Sequence, residues 1–175
     1  SNQTAMSGIP AESRSPTSVG VTVENSDGTN SGGITGSVTR EISNTDVDAV
    51  IVTLTWPQIQ VLEDDGDIRG DTVSYKIQVE HDTGGFVTKI ESSVSGRTGD
   101  AYARDHRIEL TSGFTTAKIR VIRNTIDSSS EQRVNAFQFT SLQEVIDNSS
   151  TYANSAYVAL RLDSKQFNRI PTRKY

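Results

Sequence analysis

The chain has no cysteine among its 175 residues, which excludes disulfides, thiolate catalysis and thiolate metal sites together. Its two histidines, His81 and His106, leave little material for a histidine-rich metal centre. The lack of cysteine also fits a protein made in a reducing cytoplasm. No run of about eighteen apolar residues occurs, so no segment reads as a membrane-spanning helix. The N-terminal residues lack the basic-then-apolar order of a secretion signal. Basic clusters are missing too. Seventeen Lys and Arg against 22 Asp and Glu give a net charge of −5, which disfavours nucleic acid and anionic membrane as partners. Leu-rich helical faces are scarce, while Ser, Thr, Asn and Gly abound, and the composition leans all-β.

What is present is alternation. Val50, Val52, Leu54 and Trp56 share one face of a β-branched segment that Pro57 stops. Val73, Tyr75, Ile77 and Val79 alternate with polar neighbours as a half-buried strand does. The turn from His81 to Gly85 predicts a hairpin into residues 86–90. Between Ser95 and Leu110, a Gly-flanked turn leads to Tyr102, Arg104, His106, Ile108 and Leu110 on one parity. That pattern predicts a strand running from a wet rim into a core. Val38, Arg40 and Ile42 predict another, as do Ala117, Ile119 and Val121. Phe137 and Phe139 suggest a strand, but Leu142, Val145 and Ile146 have helix-like spacing, and the reading favours a strand through Ile146. Ala156, Val158, Leu160 and Leu162 give the last alternating face. The fold expected is an antiparallel β-sandwich, or an open barrel, of roughly eight to ten strands.

Length favours one domain. Residues 1–36 read as a flexible leader and linker, with a short strand near Val19–Val23 and a tag remnant among the first few residues. Residues 37–165 read as the sandwich, and 166–175 as the start of the next segment of a longer chain.

Candidate chemistry is sparse. Glu63, Asp64, Asp65, Asp67 and Asp71 supply oxygen ligands for calcium, but their spacing departs from the helical-hand loop and suits a solvated hairpin tip better. Arg69, Gly70 and Asp71 match an integrin-read tripeptide, a signal short enough to arise by chance. Asp105 and His106 hint at acid–base work, yet no Gly-x-Ser-x-Gly elbow accompanies them. His106 is expected to be partly buried and hydrogen-bonded, and His81 exposed. Trp56, Tyr75, Tyr102, Tyr152 and Tyr157 could stack on sugar rings, though Trp56 and Tyr75 lie on core parities. Asn148 to Ser150 match a glycosylation sequon. No catalytic, cofactor-binding or metal-binding residue is assigned.

Several stretches together resemble the tail tip (host specificity) protein J family of lambda-like bacteriophages. They are residues 38–57, Gly66 to Val73, Ser95 to Thr98, Tyr102 to Leu110 and Ile119 to Thr125, followed by Glu144 to Asp147, Tyr152 to Val158, Asp163 to Phe167 and Ile170 to Arg173. The resemblance implies a β-rich, non-enzymatic structural domain inserted in the hub of a much longer chain. It implies a homotrimer in the full-length protein, although the piece on its own is compatible with a monomer. Other tail proteins are the implied partners, and receptor recognition is assigned to other regions. The implied location is the virion tail tip, after assembly in the bacterial cytoplasm. The alternative weighed is a carbohydrate-binding module touching host surface polysaccharide, with a glycan hydrolase as a weaker third reading.

Overall fold

Alternation becomes pairing in the computed structural model, which describes residues 9–26 and 35–150. Eleven strands occur among these residues: β1 (Ile9–Val23), β2 (Val38–Ile42), β3 (Ala49–Trp56), β4 (Gln60–Leu62), β5 (Ile68–Arg69), β6 (Asp71–His81), β7 (Val87–Gly96), β8 (Tyr102–Glu109), β9 (Ala117–Arg123), β10 (Arg133–Val134) and β11 (Phe137–Ser150). One four-stranded sheet has the order β1-β11-β3-β8, the other β2-β9-β6-β7, and β10-β4-β5 form a small third sheet. The two large sheets pack as a sandwich rather than closing into a barrel. Pro10–Asn148 make up one compact unit.

The core parities read from the sequence point inward. Val50, Val52, Leu54 and Trp56 of β3 meet Val73, Tyr75, Ile77 and Val79 of β6, all at most 1% exposed. Each fully buried aliphatic side chain of this kind contributes roughly 1.5–3 kcal/mol, several times what an exposed ion pair gives. The core therefore dominates stability. β3 and β8 stay in register from Ala49↔Glu109 to Trp56↔Tyr102, and β6 is paired on both sides, by β7 and by β9.

The helix-like spacing near residue 142 is a β-bulge. Phe139 pairs with Leu54 and Ser141 with Thr53, so Thr140 is an extra residue in β11. The inward set shifts from Phe137 and Phe139 to Leu142 and Ile146. Val145 then turns to the outward face and clusters with Ala49 and Ile51. Over that face lies Arg107, opposite Ile51 in register. Its guanidinium meets Glu109 at 2.7 Å, Asp147 of β11 at 2.7 Å, and Glu12 of β1.

Residues 9–23 are a strand on the edge of the first sheet, which corrects the expectation of a leader there. From Glu12 to Ser18 the side chains are exposed, and burial begins with Val19 and Val23. Backbone pairing to β11, rather than an apolar face, holds this half, so it carries no hydrophobic period. Pro16 fits because an edge strand has one side without ladder partners. The strand expected around Ala156–Leu162 and the segment 166–175 lie outside the described residues.

Candidate functional site

A buried polar assembly centres on Arg123, the last residue of β9. It continues the inward parity of Ala117, Ile119 and Val121, so the strand carries a guanidinium into the interior, 2% exposed. Its Nε donates to Thr125 O at 2.9 Å and lies 2.9 Å from Asp127 Oδ1. Nη1 donates to Asn135 O at 2.8 Å and Nη2 to Asn135 Oδ1 at 2.7 Å. Asn135 Nδ2 in turn donates to Asp71 Oδ2 at 2.7 Å, which also faces Arg133 at 3.5 Å. On the other side, Asp127 Oδ2 accepts from the backbone N of buried Asn25 at 2.8 Å, and Asn25 Nδ2 reaches Asn124 O at 3.0 Å. Burial pushes the Arg123 guanidinium below its usual range, while Asp127 and then Asp71 pull it back up.

A cleft of about 520 Å³ opens beside this network, with Glu24, Asp127, Glu131, Arg123 and Arg133 among its walls. Three carboxylates against two guanidiniums give it no strong preference for either sign of ligand. Chemically the arrangement is a fastening. It ties the end of β1, the start of β6, β9 and the approach to β11, with Arg123, Asp127 and Asn135 each bonded to more than one partner.

A second polar centre lies between the sheets at the β7/β8 margin. Tyr75 Oη is 2.8 Å from His106 Nε2, and Arg104 Nη1 donates to Ser93 O at 3.1 Å. Nearby, Trp56 stacks on Phe137 with centroids 5.2 Å apart and tilts against Tyr75 at 5.5 Å.

The structure separates the remaining candidates. The acids of residues 63–71 serve different partners. Asp65 Oδ1 caps the Asp67 backbone N, Asp64 Oδ1 accepts from Gln132, Glu63 faces Arg69, and Asp71 belongs to the Arg123 network. Asp105 and His106 point to opposite faces: Asp105 Oδ1 accepts from Thr53 Oγ1 at 2.7 Å on the outward side, while His106 meets Tyr75 within. His81, expected to be exposed, is half-buried against Phe114 and accepts from Thr111 N at 3.3 Å. Trp56 and Tyr75 are fully buried and offer no stacking platform, while Tyr102 is 40% exposed. Tyr152 and Tyr157 lie outside the described residues, and nothing is described of the side chains at the Asn148 sequon.

The tripeptide at Arg69–Asp71 is a structural corner. A Cβ on Gly70 would stand 2.7 Å from Gly96 O and 2.9 Å from Gly96 C, both backbone atoms that cannot swing aside. Gly70→Ala is therefore expected to cost about 1–3 kcal/mol in urea unfolding. Gly99→Ala, with nothing within 4 Å, should be nearly neutral. Equal stabilities for the two variants would contradict this account of the corner.

Arg123, Asp127, Asn135 and Asn25 were not singled out by sequence reasoning. The available signal was parity, since Arg123 follows Val121 by two positions in a strand.

Comparison with known proteins assigns these sheets to a family. A family described as "Tip attachment protein J, FNIII-A domain" matches residues 13–148. The chain belongs to this family. Tip attachment protein J of Escherichia phage SECphi4 is 37% identical over 133 residues, covering 75% of this chain and 12% of that protein. Its counterpart from Escherichia phage SECphi27 is 30% identical over 126 residues, covering 72% and 11%. This chain thus spans a small part of the relatives it matches. The match confirms the protein J resemblance read from the sequence. Among solved structures, the receptor binding domain of the spike protein P1 from bacteriophage PM2 aligns with a TM-score of 0.40 and 11% identity, over 73% of this chain and 90% of that one. A likeness that loose carries no weight here.

Proposed function

We propose that this FNIII-A domain is a non-catalytic structural module of a phage tail tip, contributing to tip assembly and to host adsorption by the longer protein. The observation that carries the reading is the family match over residues 13–148. The interior supports it: Asp71, Tyr75, His106, Arg123 and Asn135 are committed to internal hydrogen bonds and ion pairs, as a load-carrying module requires. On this reading the partners are other tail proteins and, in the full-length protein, two further copies in a homotrimer. Receptor contact is made by other domains, and the protein resides in the virion tail tip after assembly in the host cytoplasm. Nucleic acid is no partner, in keeping with the net charge of −5.

The test is deletion of residues 13–148 from the full-length protein in a phage carrying it. Tails with incomplete tips, seen by electron microscopy, or particles that no longer adsorb are expected. Wild-type tip morphology together with wild-type adsorption would overturn the proposal. Addition of excess free domain is expected to leave adsorption unchanged. Competition by the free domain would instead assign it direct receptor contact.

A further inference from the structure

β7 and β8 are edge strands of opposite sheets, and although Val94 and Ile108 bring apolar groups to the core, part of the margin between them is closed by polar contacts. Arg104 of β8 reaches across to Ser93 O at 3.1 Å and to Ser92 Oγ at 3.4 Å, both on β7. It also donates to Tyr75 Oη of β6 at 3.4 Å. His106, two residues further along β8, meets the same phenol at 2.8 Å. One hydroxyl thus joins both side chains of β8 to the opposite sheet. Arg104 donates to the phenol oxygen, and His106 Nε2 is the acceptor within reach of the phenol proton, so the bond is assigned as phenol to imidazole, a direction that requires Nε2 to be unprotonated.

We propose that this margin is an acid-sensitive clasp: protonation of His106 releases β8 from Tyr75 and loosens the β7/β8 side of the sandwich while the rest stays folded.

Protonation converts Nε2 from acceptor to donor, so the phenol faces two cationic donors and its own proton loses its acceptor. Relief from nearby groups is small. The charges acting on His106 are Arg104, which opposes protonation, and Asp105, which favours it. Asp105 is on the outward face and bonded to Thr53. Across the gap, β6 contributes the neutral Tyr75, and β7 brings the uncharged Ser92 and Ser93 to Arg104. On β3, the register partner of His106 is Val52. Burial, and next Arg104, hold the imidazole below its ordinary range. A histidine whose folded-state pKa is depressed contributes stability that is fully present above the unfolded value, about 6.5, and is lost as pH falls through it toward the folded value. Glu12 and Asp82 are carboxylates whose pKa values are also lowered. Their contributions are lost only at still lower pH, so pH separates the carboxylates from the imidazole, and a His106→Gln variant separates His106 from His81, the chain's other histidine.

The experiment is amide hydrogen exchange on the full chain at about pH 7.5 and about pH 5.5, corrected for intrinsic rates, with His106→Gln alongside. Expected is a several-fold loss of protection in β7 and β8 at the lower pH, little change in β3 and β9, and no such loss in the variant. Equal protection at both pH values would overturn the proposal, as would a loss that persists in His106→Gln or spreads evenly over all strands. A second measurement needs no variant. In an NMR titration of the unmutated chain, the His106 imidazole and the β7/β8 amides must titrate together, and an imidazole that titrates alone overturns the clasp.

Discussion

Replacing Arg123 by alanine is expected to cost about 3–5 kcal/mol of unfolding free energy, the range for breaking a buried charged pair from one side. The truncation leaves Asn135 Oδ1, Asn135 O and Thr125 O without their donor. It also empties the space the guanidinium fills near the Phe137 ring, 5.7 Å away. Arg123→Lys should fall between wild type and alanine, because one ammonium cannot serve three separated acceptors as the planar fork does. Asp127→Asn should cost less than either, since Asp127 is about one-third exposed (35%) and water can replace part of what it loses. Urea unfolding followed by the fluorescence of the chain's one tryptophan measures all three. A loss below about 1 kcal/mol for the alanine variant would mean that the network is decorative rather than structural.

Trp56→Ala should be comparably severe, at about 3–5 kcal/mol, from lost burial and the cavity left behind. The indole is 0% exposed and touches Tyr75, Tyr102 and Phe137. Trp56→Phe should be much milder. The indole Nε1 is buried with no acceptor among the described atoms, so phenylalanine removes an unsatisfied donor along with some volume. Circular dichroism must follow these variants, because the fluorophore is gone. A phenylalanine variant as unstable as the alanine one would show that shape, and not the unmet donor, governs this position.

Much of the sandwich was legible because buried faces write themselves into the sequence. β6 alternates along its buried length and β3 does so from Val52 to Trp56, and both fall where period-two reading puts them. Legibility failed where another force holds the chain. β1 is secured mainly by its backbone ladder and by Glu12 on Arg107, neither of which requires an apolar period. The Arg123 network stayed hidden for a different reason. Its members come from three separate stretches, at 25, at 71 and over 123–135, that meet only once the sheets are packed. The reading of Asp71 was also displaced: it stands in both the acidic run and the integrin-like tripeptide, and its partner is Asn135, which no local motif announces. His106 was read correctly as a strand residue with a hydrogen bond, because its parity ran from rim to core.

The extra residue at Thr140 makes β11 intolerant of length changes in a way its neighbours are not. Its hydroxyl bonds Thr55 Oγ1 at 2.7 Å, which pins the irregularity against β3. Deleting one residue there would invert the sidedness of everything downstream, sending Leu142 into solvent and Gln143 into the oil. Related chains that retain this sandwich should accordingly drift in the composition of β11 far more freely than in its residue count, and place their insertions at the Glu63–Asp67 tip.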